Sequence, residues 1–252
     1  MKWPILGWLA LVMSGAASAA NVSVAVAANM AAPMQRIAQA FGAATGHTAQ
    51  LAVGSTGKFH AQIRHGAPYD VLLAADTQTP ARLEHDGYGV PGSRFTYATG
   101  TLVLWSPDPA LVDSMGAVLQ TNRFRHLALA DPKVAPYGAA AQHVLTALGL
   151  DTALHGKIVQ GESIGQAYQF VASGNAALGF VAFSQVVDIQ DGTTLSRGSA
   201  WVVPPALYPP IHQDALLLKR GRDNPAAHAL LQFLQSATAR HILNSHGYRV
   251  MP

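Results

Sequence analysis

The chain has no cysteine among its 252 residues, so it can form neither disulfides nor thiolate–metal bonds. Charged residues are also scarce, at 12%, and the formal net charge is only +3. Without a long basic run or an aromatic–basic stripe, this small imbalance does not indicate nucleic-acid binding. The 11 histidines include no His-x-x-x-His pair and no His-Glu-x-x-His motif. Metal and nucleic-acid functions therefore have no support in the residues.

Half of the residues are hydrophobic, which is enough for a substantial core. Beyond the N-terminus, no apolar run reaches the roughly 18 residues that a membrane-spanning helix requires. The first residues have the order typical of a secretory signal: Lys2, a short apolar run over residues 5–13, and small residues ending in Ala17-Ser18-Ala19. We therefore predict a signal peptide over residues 1–19 and an exported mature chain.

Four times along the chain, an apolar strand-like run ends in small or amide residues and leads directly into a helix start. The four junctions are Val24–Asn29, Leu51–Gly57, Leu127–Gly138 and Ile158–Ile164. The N-terminus of a helix carries unpaired N–H groups and the positive end of the helix dipole, which favours anions. Four such junctions, two in each half of the chain, predict a cleft that holds a small oxyanion.

Strands and helices alternate along the chain, which predicts an α/β protein with parallel sheets covered by helices. An extended segment over residues 95–105 and a proline-rich passage over 204–210 interrupt this alternation. We predict two lobes, each a mostly parallel sheet flanked by helices, joined by two extended hinge connections. Lobe one is predicted over residues 20–98 and 214–252, and lobe two over 99–213. Ligands of such sheets bind beyond the carboxyl ends of strands, so the cleft is expected between the lobes.

Local capping signals mark several helix starts. Asn29 is a favoured N-cap residue ahead of the first helix, and a ligand role at the same turn is equally compatible with its chemistry. Ser163 and Asn224 are predicted to cap two later helices.

The segment Gly54–Lys58 partly matches two other motifs, that of a nucleotide-binding P-loop and that of a serine hydrolase. It shares part of the P-loop pattern, but Ala52 stands where the first glycine belongs and Phe59 where a magnesium-binding hydroxyl belongs. Ser55 and Lys58 have the spacing of a serine acyl-enzyme motif, although the chain has no Ser-Asp-Asn or Lys-Thr-Gly partner. A secreted serine hydrolase that uses Ser55 and Lys58 remains an alternative at this stage.

A set of short motifs resembles the periplasmic molybdate-binding proteins of ABC importers, in the same order from about Val22 to the C-terminus. These motifs are Ala27–Asn29, Gly54–Lys58, Gly66–Asp70 leading to Asp76, Pro91–Tyr97, Asp131–Gly138 and Leu178–Val181. The resemblance implies a type II periplasmic binding fold in the periplasm. It also implies capture of molybdate or tungstate and delivery to a membrane permease, without catalysis or a cofactor. A monomer is expected, and a receptor for another tetrahedral oxyanion such as sulfate or phosphate is the main alternative.

The resemblance also assigns an oxyanion site. It implies no direct metal ligand, because molybdenum would be held as molybdate through hydrogen bonds to the same residues. Thr56 matches the liganding hydroxyl better than its neighbour Ser55, and lobe two is expected to contribute backbone N–H groups. The residues implied are Asn29 with the adjacent Ala28, Ser55, Thr56, Tyr137 and Ile164.

One position departs from the family pattern. Many relatives supply a tyrosine hydroxyl where this chain has Ala182, so the better analogue is the subgroup with asparagine at the first position. Uncharged donors suit a fully deprotonated tetrahedral dianion, because each of its oxygens only accepts hydrogen bonds.

Overall fold

The computed structural model describes residues 19–121 and 123–250. The predicted signal peptide, apart from Ala19, lies outside these residues. The strands are β1 Asn21–Ala27, β2 Thr48–Gly54, β3 Val71–Leu73, β4 Phe95–Gly100, β5 Leu102–Ser106, β6 Leu127–Ala130, β7 Ile158–Gly161, β8 Leu178–Ala182, β9 Ser199–Val202 and β10 Ile211–Leu217. The α-helices are α1 Ala31–Thr45, α2 Thr56–Arg64, α3 Gln78–His85, α4 Pro136–Ala147, α5 Asp151–Leu154, α6 Ile164–Ala172, α7 Pro225–Leu234 and α8 Ala237–Ser245. Within the described ranges, none of these helices is long and apolar enough to cross a membrane.

The strands form two five-stranded sheets, and the predicted α/β class is confirmed. Sheet one has the order β2-β1-β3-β10-β4, and sheet two has the order β7-β6-β8-β5-β9. In sheet one, β1 is parallel to β2 and β3, whereas β10 is antiparallel to β3 and β4. In sheet two, β6 is parallel to β7 and β8, whereas β5 is antiparallel to β8 and β9. Each sheet is therefore mixed and not mostly parallel as predicted: one half is parallel and built from βα units, and the other half is antiparallel.

The chain passes between the sheets at two places. It leaves sheet one at the end of β4 and enters sheet two at β5, with Thr101 between them. It returns through residues 203–210, because β9 belongs to sheet two and β10 to sheet one. The boundaries expected at 98/99 and 213/214 fall inside β4 and β10, which pair from Gly100 with Ile211 onward. The first connection is extended as predicted, whereas the second is not extended throughout, because it contains a 3-10 helix at Pro205–Leu207.

The helices form where the apolar spacing and the caps place them. In α1, Met34, Ile37 and Phe41 recur at helical spacing and are fully buried against sheet one. The side chain of Asn224 accepts a hydrogen bond from Ala226 N–H at the start of α7, so this predicted cap is confirmed. Buried apolar residues and capping side chains thus indicate the same helix positions in these segments.

Each sheet has its own hydrophobic core. The largest cluster surrounds sheet two and includes Trp105 and Phe180, both fully buried. A second cluster joins β1, α1, α7 and α8, and a third packs α2 and α3 on the opposite face of sheet one. Helices cover both faces of the parallel half of sheet one. The carboxyl ends of its strands are not covered by these helices and face sheet two.

Candidate functional site

The six residues predicted for the oxyanion site all line one small cavity between the two sheets. The cavity lies at the carboxyl ends of the parallel strands of both sheets. Its lining consists of Ala27, Ala28, Asn29, Gly54, Ser55, Thr56, Ala75, Ala135, Pro136, Tyr137 and Ile164.

All four strand-to-helix junctions meet at this cavity. From sheet one, β1 leads into a 3-10 helix at Ala28–Met30 and β2 leads into α2. From sheet two, α4 begins at Pro136 after β6, and α6 begins at Ile164 after β7. The N–H groups of Tyr137 and Ile164 stand in first turns, where a helix supplies no acceptor of its own. The convergence therefore concentrates backbone donors and the positive ends of helix dipoles on one point.

Ser163 shows how α6 keeps its first donor available. Its hydroxyl accepts a hydrogen bond from Gln166 N–H at 3.3 Å, which confirms the predicted cap. The cap satisfies the third N–H group of the helix and does not engage that of Ile164. An acceptor in the cavity can therefore use the Ile164 donor without disrupting the cap.

The two hydroxyls at the start of α2 have different surroundings. Thr56 Oγ1 accepts a hydrogen bond from Ala75 N–H at 3.0 Å and so ties α2 to the end of β3. Ser55 Oγ is buried, with the residue 4% exposed, and has no hydrogen-bond partner in the described part of the chain. A buried hydroxyl without a partner is costly unless a ligand satisfies it. Thr56 only accepts in its bond with Ala75, so its own hydroxyl hydrogen, like that of Ser55, can be donated to an acceptor in the cavity.

Asn29 is buried at the cavity, but it does not cap a helix with its side chain. The N-cap positions of the 3-10 helix and of α1 are Ala27 and Met30, neither of which makes a side-chain cap. Asn29 Nδ2 instead donates to Gln213 Oε1 at 2.9 Å and to the hydroxyl of Tyr248 at 2.8 Å. The capping interpretation is therefore wrong, because the amide turns into the protein interior.

Tyr137 lines the cavity with its backbone, while its ring points toward the crossing between the sheets. A Cβ atom added at Gly100, the last residue of β4, would lie 2.0 Å from the Tyr137 hydroxyl oxygen. Burial, followed by the influence of Tyr248, raises the pKa of Tyr137 well above its usual value. The hydroxyl is thus a neutral group packed beside Gly100, where the chain crosses between the sheets.

The cavity is electrically neutral in its side chains. None of its described lining residues carries a charge. The ion pair of Lys58 with Glu162 joins α2 to the loop before α6, and neither residue lines the cavity. Because Lys58 Nζ engages Glu162, and Ser55 has no partner, the geometry gives Ser55 no base and does not favour the hydrolase alternative. No group of three or more potential metal ligands of the His, Cys, Asp or Glu type occurs among residues 19–121 and 123–250.

Direct contacts between the two sheet units close the cavity. Gly57 N–H donates to the Val134 carbonyl oxygen at 2.9 Å. On the other side, the Ser184 hydroxyl donates to the Asn29 carbonyl oxygen at 2.9 Å. The units therefore touch on both flanks of the cavity.

Three residues that contact Asn29 could not be identified from the sequence. Gln213, Tyr248 and Ser184 surround Asn29 through buried hydrogen bonds. They lie at least 155 positions from Asn29 in the chain, so no local pattern connects them.

The chain is similar to bacterial binding proteins in both sequence and structure. The sequence profile described as "Bacterial extracellular solute-binding protein" matches residues 22–249. The chain is 56% identical over 233 residues to the molybdate-binding protein ModA of Azotobacter vinelandii, covering 92% of this chain and 91% of that protein. It is 51% identical over 242 residues to ModA of Rhodobacter capsulatus, covering 95% of this chain and 93% of that protein. Among solved structures, the periplasmic molybdate-binding protein of Azotobacter vinelandii superposes with a TM-score of 0.88 and 41% identity, covering 92% of this chain and all of that one.

Proposed function

This chain belongs to the bacterial extracellular solute-binding proteins, and we propose that it binds molybdate or tungstate in the cavity between its two sheets and delivers the anion to an ABC permease. Relatives that it resembles over nearly its whole length are named for molybdate binding, and their names are those of binding proteins rather than enzymes. We ascribe no reaction and no cofactor to the chain.

The observation that carries this proposal is the neutral cavity at four converging strand-to-helix junctions. The cavity is small, which excludes a nucleotide or an oligosaccharide as its occupant. Its donors are the hydroxyls of Ser55 and Thr56 and the backbone N–H groups of helix first turns, including those of Tyr137 and Ile164. A dianion with four acceptor oxygens satisfies such donors, whereas a protonated oxyanion would place an extra donor among them.

The anion would hold the two lobes together. We assign sheet one with its helices to one lobe and sheet two with its helices to the other, joined through Thr101 and residues 203–210. Donors on both sides of the cavity engage the anion together only when the lobes meet. Binding free energy then shifts the population toward the closed state, which presents a distinct surface to the permease.

Export follows from the same proposal. Residues 1–19 would act as a signal peptide, and the mature chain would work in the periplasm as a monomer. N-terminal sequencing of protein recovered from the periplasm tests the cleavage after Ala19.

The function is tested by titration of the mature protein with molybdate, tungstate, sulfate and phosphate while the melting temperature is followed. A ligand that binds only the folded state stabilises it by RT ln(1 + [L]/Kd). We expect molybdate and tungstate to raise the melting temperature and sulfate and phosphate to leave it unchanged at the same concentration. A response to sulfate or phosphate alone would instead support the receptor for another tetrahedral oxyanion.

A further inference from the structure

The side chain of Asn29 has no donor left for a ligand. A carboxamide nitrogen carries two hydrogens, and those of Asn29 go to Gln213 Oε1 at 2.9 Å and to Tyr248 at 2.8 Å. Asn29 is only 2% exposed, so solvent does not compete for these bonds. The donor that Asn29 can still offer to an anion is its backbone N–H group.

The neighbours of Asn29 fix which way its amide points. Gln213 Nε2 donates to the Ile211 carbonyl oxygen at 3.4 Å, which leaves Gln213 Oε1 to accept from Asn29. Tyr248 donates its hydroxyl hydrogen to the Asn29 carbonyl oxygen at 2.9 Å, so its oxygen is free to accept from Asn29 Nδ2. Asn29 Oδ1 has no partner among residues that the structure describes, and as a pure acceptor it cannot pair with a deprotonated oxyanion.

A residue of sheet two completes this arrangement. Ser184 follows β8 in a short 3-10 helix, Phe183–Gln185. Its hydroxyl donates to the Asn29 carbonyl oxygen at 2.9 Å and lies 3.1 Å from the Tyr248 hydroxyl oxygen. Asn29 and Tyr248 belong to the sheet-one side, so these two contacts form only when the two sheet units meet.

We propose that Tyr248 and Gln213 are positioning residues that hold Asn29 with its backbone N–H group toward the anion, and that Ser184 locks the backbone of Asn29 when the lobes close. The inference rests on the proposed function, because it concerns the same anion site. It assigns the Asn29 side chain to orientation of the backbone and not to direct contact with the ligand. The C-terminal segment that carries Tyr248 thereby becomes part of the binding apparatus, although it does not line the cavity.

The chemistry of Tyr248 suits a fixed role. Burial raises its pKa to about 12, while hydrogen bonds with Ser184 and Asn29 act in the opposite direction. The hydroxyl therefore keeps its proton, and its capacity both to donate and to accept, across the physiological range.

Tyr248→Phe tests the proposal, with Tyr97→Phe as the matched control. Tyr97 is also buried in the sheet-one core, but its hydroxyl has no hydrogen-bond partner in the described ranges. Molybdate affinity is measured by calorimetry and ligand-free stability by thermal melting. We expect Tyr248→Phe to weaken affinity by about 3- to 10-fold, the range for one lost hydrogen bond, and Tyr97→Phe to remain within about twofold of the parent.

Kinetics separate positioning from general stability. Ser184→Ala should raise the dissociation rate constant of molybdate by about 3- to 10-fold and leave the association rate constant nearly unchanged, because its bond forms only at closure. A merely structural role would lower the ligand-free melting temperature without this selective change in dissociation.

The outcomes distinguish this inference from the proposed function. If the parent protein does not bind molybdate, the proposed function fails. If the parent binds and Tyr248→Phe binds equally well, or Tyr97→Phe weakens binding to the same extent, the positioning inference alone is overturned. Unchanged dissociation in Ser184→Ala would remove the locking step.

Discussion

The backbone N–H of Gly57 donates a 2.9 Å hydrogen bond to the carbonyl oxygen of Val134. This bond joins the first turn of α2, on sheet one, to the loop that precedes α4 on sheet two. The approach is so close that a Cβ atom at Gly57 would lie 2.8 Å from Val134 Cα and 2.9 Å from its oxygen. Closure of the cavity therefore requires glycine at this position.

Gly57→Ala should accordingly separate stability from binding. Alanine favours a helix over glycine by about 0.5–1 kcal/mol, so the ligand-free protein should be as stable as the parent or more stable. The added methyl group should obstruct closure and weaken molybdate affinity by about tenfold or more, equivalent to about 1.4 kcal/mol. Gly156→Ala is the control, because a Cβ atom there meets nothing within 4 Å. Parent-like affinity in Gly57→Ala would show that binding does not need this contact.

The four junctions around the cavity could be predicted because each is a local pattern. A strand-like run, a small residue and a helix start lie within about a dozen positions, so the sequence locates Ser55 and Ile164 directly. The caps Ser163 and Asn224 are equally local and follow from residue type and position. The resemblance to the family then assigned residues from these separate segments to one site.

The surroundings of Asn29 and Thr56 could not be predicted, because they depend on distant parts of the chain. Asn29 Nδ2 reaches Tyr248 over 219 positions, and this contact decides that the amide points inward. Thr56 Oγ1 is engaged by Ala75 N–H, which depends on how β3 ends beside α2. Residue type alone shows that a hydroxyl or an amide is present, but the tertiary structure decides which of its donors and acceptors are already paired.

The two hydroxyls of α2 should respond differently to substitution. Ser55→Ala removes a hydroxyl without a partner in the described structure, so ligand-free stability should not fall, while molybdate affinity should weaken by about 1.5–3 kcal/mol. Thr56→Val removes the acceptor of Ala75 N–H and should lower ligand-free stability by about 1–3 kcal/mol. Calorimetry and chemical denaturation measure the two quantities. A loss of affinity in Thr56→Val with none in Ser55→Ala would show that Thr56, and not Ser55, donates the hydroxyl hydrogen bond to the anion.

The contact between Gly100 and Tyr137 can be tested by a destabilising substitution and a second substitution that restores stability. In Gly100→Ala, the new Cβ atom would lie 2.0 Å from the Tyr137 hydroxyl oxygen and 3.0 Å from its Cζ atom. Overpacking of this kind should destabilise the protein by about 1–3 kcal/mol. Tyr137→Phe removes the oxygen responsible for the closest contact, so the double variant should recover more than half of the loss in a denaturation experiment. Additive effects of the two changes would contradict a direct conflict between them.

Asp76 gives a pH dependence with a defined sign. It follows β3 and accepts hydrogen bonds from Thr79 N–H at 2.7 Å and from the Thr79 hydroxyl at 3.1 Å. Burial raises its pKa above 3.8, although these bonds act in the opposite direction. The folded protein therefore holds this proton more tightly than the unfolded chain. The resulting stabilisation is present below the unfolded pKa and is lost as the pH rises through the folded pKa.

Asp76→Asn should remove this loss while it retains an acceptor for Thr79 N–H. We expect a melting temperature about 1–3 °C above that of the parent at pH 7, with the difference shrinking in acid below the unfolded pKa. Asp113→Asn is the control of opposite sign, because hydrogen bonds from the N–H groups of Met115, Ala117 and Val118 lower the pKa of Asp113. Its replacement should reduce stability at pH 7 and have less effect in acid. A lower melting temperature for Asp76→Asn at pH 7 would mean that the carboxylate's hydrogen bonds to Thr79 outweigh the cost of its burial.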